Sequence, residues 1–204
     1  MTTPVNLPVR SAQLVLVIAM LAGCASPEPR YYTLAQKPVM AATAAPATNQ
    51  GKEPVFIEIP PVHVPDRLNR TNLLLNEGEG RIKVMGQDRW SAPFPDELRD
   101  ALSLQLQASL GAVDTYHQGA PGVAPLYRVN VDVLRMDAEL GERAGAVINW
   151  TVQRVRDHKI ASGRTQVELS ARGGLDSVVA AYQQVIANTT GDITAAIRTL
   201  QLAR

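Results

Sequence analysis

Between Tyr127 and Ala171 the chain alternates apolar and polar residues in three successive runs, and no other feature restricts its fold as strongly. Tyr127, Val129, Val131 and Val133 alternate with Arg128, Asn130 and Asp132. This period of two sends one set of side chains to a buried face and the other to water. Ala146, Ile148, Trp150 and Val152 repeat the pattern, with Val147, Thr151 and Val155 making the second face less polar. Thr165, Val167, Leu169 and Ala171 supply a third run, reached through a turn near Asp157 to Lys159. Long strands in succession with short connections predict an antiparallel meander.

A one-sided sheet needs a second layer, and two segments offer it. Leu175, Val178, Val179, Tyr182, Val185, Ile186, Thr189, Ile193, Ala196, Ile197 and Leu200 follow helical spacing, with Gly191 the residue that would interrupt it. An earlier helix begins at Pro95, where the missing amide hydrogen costs nothing. Asp96 and Glu97 complement the positive end of its dipole. Leu98, Ala101, Leu102, Leu106 and Leu110 form its apolar stripe, Gly111 is its stop, and Leu104 points away from the stripe. The expected fold class is α+β, an antiparallel sheet with two amphipathic helices packed on one face. With 204 residues, 46% of them hydrophobic, one domain is the default.

Upstream, Val55, Ile57 and Ile59 predict a strand closed by Pro60 and Pro61, followed by a short extended piece at Val62 to Val64. Leu73 to Leu75 and Arg81 to Met85 flank Asn76-Glu77-Gly78-Glu79-Gly80, a turn-forming run that joins them as a hairpin. Its glycines do not have phosphate-loop spacing, and its two carboxylates would repel an anion. Residues 35–53 are rich in Ala, Thr and Pro and predict a flexible loop, or more tether if Tyr31 to Leu34 is not docked as a strand.

The amino terminus is built differently. Arg10 precedes an apolar core from Ala12 to Met20, and Leu21-Ala22-Gly23-Cys24 follows. The uninterrupted apolar stretch from Leu14 to Gly23 is ten residues, against about 20 for a membrane-spanning helix, so it reads as an export signal. The four residues ending at the single cysteine resemble the lipobox of bacterial lipoproteins. That resemblance implies a signal peptide over residues 1–23 and a diacylglyceryl group on the Cys24 sulfur, with the freed amine commonly acylated as well. Two or three acyl chains exceed what stable attachment needs, whereas one is marginal. The other reading is an ordinary signal peptide with a chance cysteine, which would leave a free thiol in an oxidising compartment. Residues 24–30 would be the lipidated tether and residues 31–204 the folded domain. Six residues separate Cys24 from Tyr31, so a docked Tyr31 places the domain within roughly 20 Å of the lipid surface. Ala25, in place of the aspartate that retains enteric lipoproteins in the inner membrane, resembles the sorting signal for the outer membrane.

Little else in the sequence carries chemistry. The formal net charge is +1, which gives no basic surplus for nucleic acid. His63, His117 and His158 lie far apart and lack ligand-type neighbours, so no metal or other cofactor is expected beyond the covalent lipid. No Gly-x-Ser-x-Gly elbow occurs, and Asp96 and Glu97 point in different directions on a helix. A non-catalytic protein is the expectation.

Several short motifs in a fixed order carry a wider resemblance. After the lipobox come Tyr31-Tyr32-Thr33-Leu34, then Val64-Pro65-Asp66-Arg67-Leu68-Asn69-Arg70, then Arg89-Trp90-Ser91-Ala92-Pro93 running into the first helix, and later Asn149-Trp150 in a long strand. This order resembles the ABC-type transport auxiliary lipoproteins of the PqiC (paraquat-inducible) type. The resemblance implies a lipoprotein of the outer membrane facing the periplasm. Its partners would be an MCE-domain protein, an ABC-type transport complex and copies of itself. Its role would be accessory, in intermembrane lipid transport that maintains envelope integrity, closer to a docking collar than to a catalyst. Arg70, Arg89 and Trp90 are candidate partner contacts, against plainer readings as surface charges and a packed aromatic. A lipid-binding chaperone with an acyl-chain cavity between helix and sheet is the alternative function, and an envelope enzyme a third.

Overall fold

The alternating runs become the centre of the fold. A computed structural model describes residues 27–35, 55–118 and 123–203. In chain order the elements are β1 (Arg30–Tyr32), β2 (Val55–Glu58), β3 (Asn72–Asn76), β4 (Ile82–Trp90), α1 (Phe94–Leu110) and β5 (Ala112–Asp114). They continue with the single turn α2 (Thr115–Gln118), then β6 (Tyr127–Glu139), β7 (Arg143–Arg154), β8 (Ile160–Ser170) and α3 (Leu175–Leu202).

Strands β6, β7 and β8 pair antiparallel, in register from Tyr127↔Arg154 to Glu139↔Arg143 and from Arg143↔Ser170 to Gln153↔Ile160. A bulge between Val133 and Arg135 leaves Leu134 as the extra residue. The meander follows from the alternation: Tyr127, Val129, Val131 and Val133 are buried, and Arg128 and Asn130 are exposed. Across the β7–β8 ladder Trp150 lies over Gly163, where an added Cβ would come within 2.3 Å of the indole ring. The position must be glycine for that ring to lie flat on the sheet.

The sheets are mixed rather than wholly antiparallel, and there are two. β2 joins β6 in parallel and β5 joins β2 in parallel, giving the order β5-β2-β6-β7-β8. Pro60 and Pro61 interrupt the ladder, which resumes at His63, whose amide donates to the Val131 carbonyl at 3.2 Å. The second sheet has the order β1-β4-β3, with β3 and β4 forming the expected hairpin and β1 added in parallel. Parallel pairing requires a long connection, and β1 and β2 are joined to their partners by long stretches of chain.

Both helices cover the same face of the larger sheet. α3 lies on β7 and β8, while α1 packs against α3 and β5. α3 runs 28 residues without a break, passing through Gly191, which is exposed and meets no neighbour. Its carboxyl end is capped by the buried Arg154, whose guanidinium donates to the carbonyls of Leu200 and Ala203. Arg154 also forms a bidentate pair with Asp157 at 2.8 and 2.6 Å. These hydrogen bonds are the main cause that lowers the Asp157 carboxyl from 3.8 to about 2. α1 starts at Phe94, one residue before Pro95, and ends at Gly111 in the left-handed conformation, φ 61°.

Candidate functional site

The segment nearest the amino-terminal cysteine is docked on the body of the domain. β1 pairs with the end of β4 in the register Arg30↔Asp88, Tyr31↔Arg89 and Tyr32↔Trp90. The Ser91 amide donates to the Tyr32 carbonyl at 2.8 Å. Leu34 is fully buried, and Gln183 of α3 donates to the Thr33 carbonyl at 3.1 Å. Tyr31 to Leu34 is therefore part of the fold, as the docked reading of that segment requires.

Glu97 is the clamp. It sits in the first turn of α1, is buried, and takes 2.9 Å hydrogen bonds from the Thr33 hydroxyl and the Leu34 amide at Oε2. The Ser91 hydroxyl donates to Oε1. The positive end of the helix dipole supports its charge, as the sequence suggests, but its specific work is to hold β1. Outside this clamp, Arg30 pairs with the buried Asp88 at 2.7 Å, and the Tyr32 hydroxyl donates to the same carboxylate at 3.3 Å. Burial, partly opposed by Arg30, holds the Tyr32 phenol above its ordinary value.

The three candidate contact residues part company here. Trp90 is buried, with its ring 5.4 Å from that of Phe94 and 6.3 Å from that of Tyr182, so it is packed into the core beneath β1. Arg89 is half-buried and its guanidinium reaches the Gly86 carbonyl at 3.3 Å. Arg70 is exposed, and among the described residues its hydrogen bonds are those of its backbone, which accepts from the Phe94 amide at 3.1 Å. Cys24 and the loop 35–53, apart from Ala35, lie outside the described residues.

A groove of about 390 Å³ opens beside β3, with Leu68, Leu74, Ile82 and Met136 on its walls and Arg67 and Arg135 at its polar side. Deeper, between Trp90, Tyr182 and Met136, about 20 Å³ remains, too little for an acyl chain at that point. A second polar cluster is structural. The buried Arg99 donates to the Ile59 carbonyl at 3.2 Å and to Asp114, which also accepts from Ser103 at 2.7 Å and from the Tyr116 amide at 3.0 Å. Among the described residues no group of His, Cys, Asp or Glu is placed to hold a metal, and no helix is long and apolar enough to cross a membrane.

The profile of the family described as ABC-type transport auxiliary lipoprotein component matches residues 32–194. The chain belongs to this family. The match begins at Tyr32, the last residue of β1, and ends within α3, so both sheets and both helices fall in the family domain. Among solved structures, this auxiliary lipoprotein is similar to an uncharacterized protein with a TM-score of 0.64 and 17% identity, covering 84% of this chain and 99% of that one. It is also similar to a protein from Xanthomonas campestris with a TM-score of 0.57 and 14% identity, covering 85% of this chain and 98% of that one. Both likenesses establish a shared fold. A PelC dodecamer from Paraburkholderia phytofirmans is more distant, with a TM-score of 0.42 and 9% identity over 66% of this chain and 85% of that one. No curated protein sequence matches the chain.

Proposed function

We propose that this auxiliary lipoprotein is held at the outer membrane by acylation of Cys24, faces the periplasm, and serves without catalysis as a docking component of an ABC/MCE-type lipid transport system that maintains the envelope. The observation that carries the reading is the docking of β1, because six residues separate Cys24 from Tyr31. At most about 3.6 Å per residue then keeps the domain within roughly 20 Å of the bilayer. A domain held that close is a fixed station for a partner and not a shuttling carrier. The buried charged groups support a structural role for the interior: Glu97 holds β1, Arg99 and Asp114 hold each other, and Arg154 caps α3. Arg70 and Arg89 are the proposed contacts to an MCE-domain protein, with Trp90 as the packed support beneath them.

The test is replacement of Cys24 by serine in cells. Loss of palmitate labelling and release from the outer-membrane fraction are expected, together with loss of crosslinks to MCE-domain or transporter proteins. Retention of both label and membrane fractionation refutes the anchor, and crosslinking of the unaltered protein that recovers no such partner refutes the docking role. The groove beside β3 favours a second reading, a lipid-binding chaperone. Native mass spectrometry of the delipidated domain with a stoichiometric bound lipid would establish it.

A further inference from the structure

Three apolar side chains stand in water at one end of the domain, where charged residues are the rule. Ile82 and Val84 on β4 are 47% and 48% exposed, and Leu140, at the turn between β6 and β7, is 50% exposed. Single exposed aliphatic residues need no explanation, but groups do; the opposite end carries another, in Leu126, Ile160 and Leu202, so the direction of the tether decides which end faces the lipid. The two hairpin turns that carry these residues are neighbours, since the Asn76 side-chain amide donates to Glu139 at 3.4 Å.

The tether leaves from the same end. β1 runs parallel to β4, so the chain ahead of Arg30 heads back toward the β3–β4 turn. Two further observations fix that direction. Arg30 lies in the field of Asp176, at the amino end of α3, while Thr33 is bound by Gln183, two turns further along the helix. The amino end of α3 in turn abuts the β6–β7 turn, where the Ala171 amide donates to the Glu142 carbonyl at 2.9 Å. The six residues from Arg30 back to Cys24 span at most about 20 Å, and from Asp88 back to Ile82 is a similar length of strand. The exposed aliphatic group is thus within the reach of the chain that leads to Cys24.

The geometry points to this end, formed by Ile82, Val84 and Leu140, as a second membrane contact that seats the domain directly on the lipid surface from which its tether emerges. The inference rests on acylation of Cys24. Its chemistry is apolar insertion, because the neighbouring charges are internally matched: Lys83 with Glu77 at 3.4 Å, Arg81 with Glu79 at 3.3 Å, and Arg143 with both Glu139 and Glu168. A surface so balanced has little preference for anionic lipid, and the contact should survive high salt. Seating also fixes orientation. A tether alone would let the domain tumble, whereas two contacts present the opposite end, the β7–β8 turn, to the periplasm.

The test uses the full lipoprotein. Acylation blocks the Cys24 sulfur, so Val84→Cys or Leu140→Cys introduces the only free thiol, which takes a nitrobenzoxadiazole fluorophore. Ile160→Cys is the control, because Ile160 is 62% exposed and equally apolar but lies at the far end of β8. In vesicles of phosphatidylcholine and phosphatidylethanolamine, doxyl-labelled lipid should cause loss of emission at positions 84 and 140 and none at 160, unchanged by high salt. Acylated protein, verified by intact mass, whose labels at 84 and 140 are quenched no more than that at 160 overturns the contact and leaves the anchor standing. A blue shift without vesicles that grows with protein concentration shows a second copy on this face and also overturns it. An unacylated Cys24 overturns the anchoring reading and takes this inference with it.

Discussion

Replacing Glu97 by alanine should lengthen the tether without unfolding the domain. The carboxylate takes three hydrogen bonds, from the Thr33 hydroxyl, the Leu34 amide and the Ser91 hydroxyl, and two of these hold the segment that follows β1. A hydrogen bond to a charged group contributes about 1.5–3 kcal/mol, so the two together are worth about 3–6 kcal/mol of local docking. Burial of Leu34 adds about 1.5–3 kcal/mol, and the β1–β4 ladder, the Arg30–Asp88 pair and the Gln183 hydrogen bond hold the segment as well, so Glu97 is the strongest single side-chain tie among several. Since about 1.4 kcal/mol is a factor of ten, amide protection at Tyr31, Tyr32 and Leu34 should fall by about a hundredfold or more. Protection in β6, β7 and α3, whose packing does not involve Glu97, should fall far less. Glu97→Gln keeps an acceptor for the Leu34 amide and should lose only about tenfold. Hydrogen exchange read by mass spectrometry on the unlipidated domain decides the matter. Unchanged exchange in β1, or loss of protection across the whole domain in step with β1, refutes the clamp. The consequence for function is reach: with β1 free, the next described residue fixed to the sheet is Val55, and the extended limit from Cys24 grows from roughly 20 Å to about 110 Å.

Three further outcomes test the framework that carries this site. Arg99→Met strands the buried Asp114 among neutral donors and should destabilise the domain by about 3–5 kcal/mol in urea denaturation, and a loss below about 1 kcal/mol would show that the pair is not the tie between α1 and β5. Gly191→Ala should stabilise by up to about 1 kcal/mol, because the site is helical, exposed and open to a Cβ, and a lowered melting temperature would contradict that geometry. Asp157 is held at about 2 in the folded chain, below its ordinary 3.8, so its contribution is fully present above pH 3.8 and is lost as the pH falls toward 2. Asp157→Asn should flatten the stability profile across that acid window and leave its slope near neutral pH unchanged.

How much of this was legible depended on whether a residue's neighbours lay along the chain or across it. The meander and α3 were readable because β6, β7 and β8 are successive and each buries alternate residues, so the pattern of one strand carries its own evidence. Gly191 did not break α3 because the helix is held by its buried face, where Ile186, Ile193 and Ile197 are fully buried, and packing outweighs propensity. The parallel additions were harder: β2 showed its own alternation at Val55, Ile57 and Ile59, but β1 and β5 are too short to have a period, and the partners of all three are distant in sequence. Glu97 lay between these cases. Read only with its neighbour Asp96 it is a dipole-complementing surface acid, yet it stands three residues after Phe94 and four before Ala101, on the buried face of α1. A carboxylate on an apolar stripe must find donors, and Glu97 finds them in Ser91 and in the segment Thr33–Leu34 added from outside. Part of the signal for the docking of Tyr31 to Leu34 was therefore present in α1. The same logic separates Trp90 from Arg70: a large aromatic just ahead of a helix start is drawn into the core, whereas Arg70 keeps its side chain in water.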